Sequence, residues 1–135
     1  MVANTKTVLI TDDDKLILAS FRHALERQGY KVLLAEEGAS ALAFLEKETV
    51  DIVFLDILMP GKDGLETLLE IKRRFPGVPV HVMSGGGTRS RHDFLTVAQK
   101  FGASSVIRKP VIPVDLIKII EAIPDDVASK TTKTG

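Results

Sequence analysis

The sequence predicts an α/β protein built on a doubly wound, five-stranded parallel sheet. Short apolar runs typical of buried strands alternate five times with longer segments in which apolar residues recur at helical spacing. Such alternation favours a parallel sheet with helices on both faces. Right-handed crossovers and the need to cover both faces leave few strand orders, and 2-1-3-4-5 is a common one. We therefore expect that order, with five helices.

Each element has its own signal. The apolar runs predict strands at residues 8–11, 32–35, 52–55, 80–84 and 105–108. Helical periodicity centres the helices on residues 16–25, 39–44, 65–71, 94–101 and 116–123. Asp14 is a typical N-cap for the first helix, and Gly29 and Gly102 are expected to end the first and fourth helices.

Composition narrows the class of protein. The 135 residues, 44% hydrophobic and 27% charged, suit one globular domain, which we place at 1–124, with a polar tail at 125–135 that we expect to be disordered. Lysine plus arginine equals aspartate plus glutamate at 18 each, so we expect no direct nucleic-acid partner. There is no cysteine, which excludes disulfides and thiolate chemistry. No run reaches the length of a membrane span, and we expect a cytoplasmic protein without membrane insertion.

The most informative stretch is residues 50–64. Its apolar run, typical of a strand buried on both faces, leads directly into Asp56, and the chain turns at Pro60-Gly61. A carboxylate at the end of a buried strand is costly unless something there uses it, and ligands of open α/β sheets bind at that end. Asp12 and Asp13 follow the first strand, and we expect them to converge on Asp56.

Two further polar groups should reach the same place. Ser84 ends the fourth predicted strand, and Lys109 follows the fifth. Three carboxylates close together repel one another, and Mg²⁺, which prefers oxygen ligands, would relieve that repulsion. Three aspartates, one lysine and one Mg²⁺ sum to zero charge. Such a site suits phosphoryl transfer to a carboxylate, with the lysine and the hydroxyl meeting the phosphoryl oxygens.

These motifs together resemble the receiver domain of two-component response regulators, which has a flavodoxin-like fold. The resemblance covers residues 7 to about 123. It rests on the Asp12-Asp13 pair, on residues 55–64 (Leu-Asp-Ile-Leu-Met-Pro-Gly-Lys-Asp-Gly), on Met83-Ser84-Gly85 and on Lys109-Pro110. Each motif alone is weak, but all of them in order at strand ends form a strong signal.

The resemblance implies a signalling switch rather than a classical enzyme, although one that assists its own phosphorylation and dephosphorylation. Asp56 would accept a phosphoryl group from a sensor histidine kinase or a histidine phosphotransfer protein. Asp13, Asp56 and the Leu58 carbonyl would bind Mg²⁺ directly, and Asp12 would act through water. Ser84 and Lys109 would sense the phosphoryl group and change the surface offered to a downstream protein target. The Lys109-Pro110 bond is expected to be cis, as in the family.

One position departs from the family pattern. Val106 stands three residues before Lys109, where the family usually has Phe or Tyr, so the usual coupling of hydroxyl and ring is in doubt. We hypothesise that the loop Gly85-Gly86-Gly87 carries the response instead, although the glycines also suit a simple turn. A phosphorylation-independent protein-interaction module of the same fold stays open as the alternative.

Other functions fit less well. A phosphatase of the haloacid-dehalogenase type needs an acid two residues after its nucleophile, where this chain has Leu58. A flavodoxin would need a phosphate loop after the first strand, where the aspartates would repel phosphate. Whether the chain is a stand-alone receiver or part of a longer regulator stays open. We expect His81, between two valines, to be a core histidine, and residues 72–74 to be solvated charge.

Overall fold

The sheet has the predicted order and direction. The structure, a computed structural model, describes residues 5–57, 64–85 and 99–123. Five parallel strands lie in the order β2-β1-β3-β4-β5. They are β1 (Thr7–Thr11), β2 (Lys31–Ala35), β3 (Ile52–Asp56), β4 (Val80–Ser84) and β5 (Ser105–Arg108).

Four helices cover the sheet within the described residues. They are α1 (Lys15–Arg27), α2 (Gly38–Lys47), α3 (Gly64–Arg74) and α4 (Pro113–Glu121). The helix predicted around 94–101 falls mostly outside the described residues, and its last positions, Gln99 and Lys100, are helical.

Alternate residues of each strand belong to two separate hydrophobic cores, because successive side chains of a strand point to opposite faces of the sheet. On one face Leu9 and Val53 pack with residues of α2 and α3, such as Leu42 and Leu68. On the other face lie Val8, Ile10, Ile52 and Phe54, which pack with Phe21 of α1 and Leu116 of α4. The helices therefore cover both faces, as the alternation of elements predicted.

The register of the two central strands determines where the site forms. Val8 of β1 pairs with Ile52 of β3, and the ladder continues to Thr11 beside Leu55. The next residues along these strands, Asp12 and Asp56, therefore emerge side by side at the carboxyl edge of the sheet. All five residues of β3 are buried, including Asp56.

Helix α1 begins and ends where its sequence signals predicted. The Asp14 carboxylate accepts hydrogen bonds from the backbone N–H groups of Leu16 and Ile17, which have no partner within the helix. At the other end Gly29 adopts φ 95°, a conformation that L side chains rarely adopt. Its N–H donates to Glu26, closing the helix. Gly102, at φ 101°, likewise follows the helical residues 99 and 100.

The prediction of solvated charge at residues 72–74 is wrong for Lys72. Its amine donates to the backbone carbonyls of Pro76 at 3.2 Å and Val78 at 2.7 Å. Burial lowers the pKa of Lys72 from its ordinary value of 10.5. Lys72 therefore holds the connection between α3 and β4, whereas Arg73 and Arg74 are exposed and form ion pairs.

None of the helices in the described ranges combines the length and the apolar character that crossing a bilayer requires.

Candidate functional site

The site is built around two buried carboxylates at the ends of neighbouring strands. Asp12 is 1% exposed and Asp56 is 2% exposed. The Asp12 backbone N–H donates to the Ala35 carbonyl of β2, and the N–H of Ile57 donates to the Met83 carbonyl of β4. The backbone on which each acid sits is thus tied to the adjacent strand.

Helix α1 fixes the orientation of the Asp12 side chain. One carboxylate oxygen of Asp12 accepts a hydrogen bond from the N–H of Asp14 at 2.9 Å. Because Asp14 in turn caps α1, the start of the helix and the position of the acid are set together. The second carboxylate oxygen faces the site, where it accepts a hydrogen bond from the Lys109 amine.

Asp13 completes an acidic cluster. One oxygen from each of Asp12, Asp13 and Asp56 lies within 4.8 Å of the other two, and Asp13, unlike the other two acids, is exposed. Mg²⁺ binds oxygens at about 2.1 Å, so two ligands on opposite sides of the ion lie about 4.2 Å apart. Small side-chain movements, which the exposed Asp13 can make freely, would bring these oxygens to that spacing. The three residues therefore fit a hard divalent cation in donor type and in spacing.

Lys109 places a positive charge between the two buried acids. Its amine lies 3.1 Å from an Asp56 oxygen and 3.2 Å from an Asp12 oxygen. Burial alone would lower the pKa of Lys109, but attraction to Asp56 and then to Asp12 exceeds that effect and raises the pKa above 10.5. Lys109 is therefore a fixed cation at neutral pH.

Ser84 lies at the end of β4, between the strands that carry Asp56 and Lys109. It is 4% exposed, and its carbonyl accepts the backbone N–H of Lys109 at 2.8 Å. The backbone of Lys109 is therefore tied to the end of β4. The structure thus brings Asp12, Asp13, Asp56 and Lys109 together as predicted, with Ser84 on the intervening strand. The predicted ligand Leu58 lies outside the described residues.

Comparison with known proteins identifies the family. Residues 8–121 match the response regulator receiver domain. The chain belongs to that family. It is 31% identical over 116 residues to the transcriptional regulatory protein CpxR of Klebsiella pneumoniae, covering 86% of this chain and 48% of CpxR. It is 36% identical over 118 residues to GlrR of Escherichia coli, covering 87% of this chain and 25% of GlrR. The receiver domain therefore spans half or less of these relatives' length.

Solved structures agree on the fold. A CheY-like receiver domain from Methanospirillum hungatei is 32% identical, with a TM-score of 0.78, and the match covers 87% of this chain and 92% of that one. The receiver domain of NtrX from Brucella abortus is 34% identical, with a TM-score of 0.76, covering 84% and 94%. The flavodoxin-like fold is confirmed. Receiver domains are signalling switches rather than classical enzymes.

Two smaller predictions can be compared with the structure of the receiver domain. The Lys109–Pro110 bond is cis, as expected. The His81 ring lies against Phe54 of the core and its Nδ1 lies 2.6 Å from the Ser105 hydroxyl, but His81 is only partly buried, so the prediction of a core histidine is confirmed only in part. Val106 packs against the core on the α2 and α3 side. Gly86 and Gly87 lie outside the described residues, so the loop hypothesis stays a prediction.

Sequence reasoning missed a close contact behind the site. A Cβ at Gly64 would clash with the backbone of Ile57, the residue after Asp56. Gly64 therefore lets the start of α3 pack directly against the end of β3, bringing the two ends of the connection 58–63 together. The sequence marked Gly64 only as part of a motif, and no periodicity could have shown this contact.

Proposed function

We propose that this receiver domain is a phosphorylatable switch in which Asp56 accepts a phosphoryl group from a histidine kinase or a histidine phosphotransfer protein. The observation that carries the proposal is the position of the Lys109 amine, within 3.2 Å of both Asp56 and Asp12 in the acidic cluster. Receiver domains generally bind Mg²⁺ at an acidic pocket, and the cluster here has the composition that such a pocket needs.

The proposed reaction is a simple displacement at phosphorus. An Asp56 carboxylate oxygen forms a bond to phosphorus while the P–N bond of the phosphohistidine donor breaks, and the electron pair leaves with the histidine nitrogen. The product is an acyl phosphate and a free imidazole, which takes up a proton. Asp13 and Asp56, with Asp12 acting through water and the Leu58 carbonyl as a further ligand, would hold Mg²⁺, which supplies neutralisation of the phosphoryl charge.

The switch follows from a change in what Lys109 must neutralise. Before transfer its amine lies between two carboxylates, Asp12 and Asp56. An acyl phosphate on Asp56 adds about one negative charge near neutral pH and moves that charge outward. Lys109 would follow it, and the hydrogen bond from its N–H to the Ser84 carbonyl links that movement to β4. The altered surface would then bind a downstream protein target.

The donor protein needs a surface next to the site, and exposed apolar residues provide one. Leu16 is 82% exposed four residues after Asp12, and Ile112 and Val114 are 54% and 45% exposed just after Lys109. Large apolar side chains exposed beside a reactive group are typical of a docking surface. We propose that the phosphoryl donor contacts this rim, defined as Leu16, Ile112 and Val114.

The acceptor is tested with a small-molecule donor. Incubation with acetyl phosphate and Mg²⁺ should add the mass of one phosphoryl group to the wild type and none to Asp56→Asn. Asp51→Asn, at the other end of the same strand, is the matched control and should be modified like the wild type. An adduct that survives Asp56→Asn, or that resists alkaline hydrolysis, would contradict the proposal. A folded wild type that acquires no adduct would favour the phosphorylation-independent module.

The docking rim is tested separately from the acceptor. Leu16→Ser should slow transfer from a phosphorylated histidine phosphotransfer protein that labels the wild type, and leave acetyl phosphate labelling unchanged. Leu69, 49% exposed on α3, provides the control, since Leu69→Ser removes an equally apolar side chain away from the rim. Equal slowing by both variants would argue against the rim.

A further inference from the structure

The outer edge of β2 carries backbone groups that have no partner strand in the described part of the chain. Among the residues that the structure describes, β2 pairs only with β1 and lies at the end of the sheet. The N–H of Lys31 donates to Lys6, and the carbonyl of Ala35 accepts from Asp12, so Lys31, Leu33 and Ala35 use their backbone groups toward β1. In a parallel ladder successive residues alternate sides. Val32 and Leu34 therefore direct their N–H and C=O groups outward.

Space for a further strand exists on both sides of this edge. One groove of about 350 Å³ lies between β2 and α1, and another of about 490 Å³ lies between β2 and α2. Both are lined by Leu34 and Glu36. Because the side chains of an added strand alternate between two faces, one strand could fill both grooves.

The charges along β2 are arranged so that two antiparallel copies of the segment are complementary to each other. The segment reads Lys31-Val-Leu-Leu-Ala-Glu36-Glu37, with exposed charge of opposite sign at its two ends. β2 ends at Ala35, and Glu36 and Glu37 form the bend that leads into α2, with Glu37 at φ −153° and ψ 165°. When two copies run antiparallel with Leu34 opposite Leu34, each Lys31 lies at the end of the strand where the other copy has Glu36 and Glu37. This register also places Leu34 of each copy in a hydrogen-bonded pair with Leu34 of the other copy.

We propose that β2 is a self-association edge, at which two copies of this chain join antiparallel through β2 into one continuous sheet. The formal net charge of zero means that two copies do not repel at long range. Lys31 also pairs with Glu48 of its own chain at 2.9 Å, but both side chains are exposed, and such pairs are weak enough for the lysine to be shared. The proposal does not depend on phosphorylation of Asp56.

Charge reversal in separate chains provides the test, with sedimentation equilibrium as the measurement. Lys31→Glu alone places like charges at both contacts of the dimer, as does Glu37→Lys alone. Each variant should raise the dissociation constant about tenfold or more, since like charges directly opposite destabilise strand pairs. An equimolar mixture of the two restores opposite charges at both contacts and should form a heterodimer close to the wild-type strength. Loss of folding cannot produce that recovery.

Two further variants separate the edge from other surfaces. Arg73→Glu reverses an exposed arginine that pairs with Glu70 on α3, and should leave self-association unchanged. Leu34→Pro removes an outward N–H without removing a bond to β1, and should abolish self-association. A wild type that is monomeric at the highest concentration reached would overturn the proposal. So would a folded mixture of the two charge variants that associates no better than either alone.

Discussion

Replacing Lys109 by methionine tests how strongly the acidic site depends on the Lys109 amine. Methionine keeps most of the apolar stem and removes the amine that lies 3.1 Å from Asp56 and 3.2 Å from Asp12. Both carboxylates are almost fully buried, so Lys109→Met removes the amine that neutralises them while their charges stay out of water. We expect Lys109→Met to lower the free energy of unfolding in the absence of divalent cations.

The size of the loss follows from the distances and from exposure. At an effective dielectric constant of about 20, each contact corresponds to about 5 kcal/mol of Coulomb attraction, much of which the desolvation of the amine offsets. Removing one partner of a fully buried ion pair typically costs about 3–5 kcal/mol. Because the Lys109 side chain is 25% exposed, water screens part of the effect. We therefore expect a loss of about 2–3 kcal/mol.

Urea unfolding at pH 7 in the presence of EDTA measures this loss. With a slope of about 1.5 kcal/mol per molar, the midpoint should fall by about 1.3–2 M. Adding Asp56→Asn to Lys109→Met should recover about 1 kcal/mol or more, because one of the two buried charges that the Lys109 amine neutralised is gone. Lys118 is an exposed lysine of α4, and Lys118→Met is the control, which should change stability by less than about 0.5 kcal/mol. A change that small for Lys109→Met, or no recovery in the double variant, would refute the reasoning.

Three further changes test other contacts. Gly64→Ala would force its Cβ into the Ile57 backbone, and urea unfolding should show a loss of about 1–3 kcal/mol; unchanged stability would mean that the contact relaxes freely. Asp14→Ala removes the cap of α1 and should cost about 1 kcal/mol, whereas Asp14→Ser should restore most of it. Burial lowers the pKa of His81 from 6.5, so the unfolded chain takes up this proton more readily and the wild type loses stability as pH falls below 6.5. His81→Gln should lose less stability than the wild type over that pH range. Parallel profiles of stability against pH for the two proteins would contradict this.

The sheet was predictable because local signals and global topology agree. The bounds of β4 and β5 match their apolar runs, since turn residues interrupt the chain on both sides. The strand order then places Asp12 beside Asp56, and this is why the acidic cluster could be predicted without coordinates. The predicted start of α4 was less accurate than the predicted bounds of these strands. Periodicity began at Leu116, whereas the helix begins at Pro113, where proline suits the first helical position.

What the sequence could not predict depends on contacts between distant segments. The role of Lys72 depends on the path of the backbone at Pro76 and Val78, which charge patterning does not describe. The Thr11 hydroxyl, directly before Asp12, is fully buried and has no hydrogen-bond partner in the described part of the chain. Lysine and threonine are common at exposed positions, so the sequence gives no sign that Lys72 and Thr11 are held by contacts that only the packed structure shows.

The balance of charge explains why the proposed acceptor site would need a cation before it could meet an anionic donor. Asp12, Asp13 and Asp56 carry three formal negative charges, and Lys109 supplies one positive charge, so the four residues together carry two negative charges. A phosphoryl donor brings further negative charge to the same edge of the sheet. Lys109 cannot neutralise it while it holds both buried acids. A divalent cation would remove that conflict, since it would take over the carboxylates and leave the amine able to follow the phosphoryl group. The contacts of Lys109 with Asp12 and Asp56 before phosphorylation would therefore make its movement depend on phosphorylation.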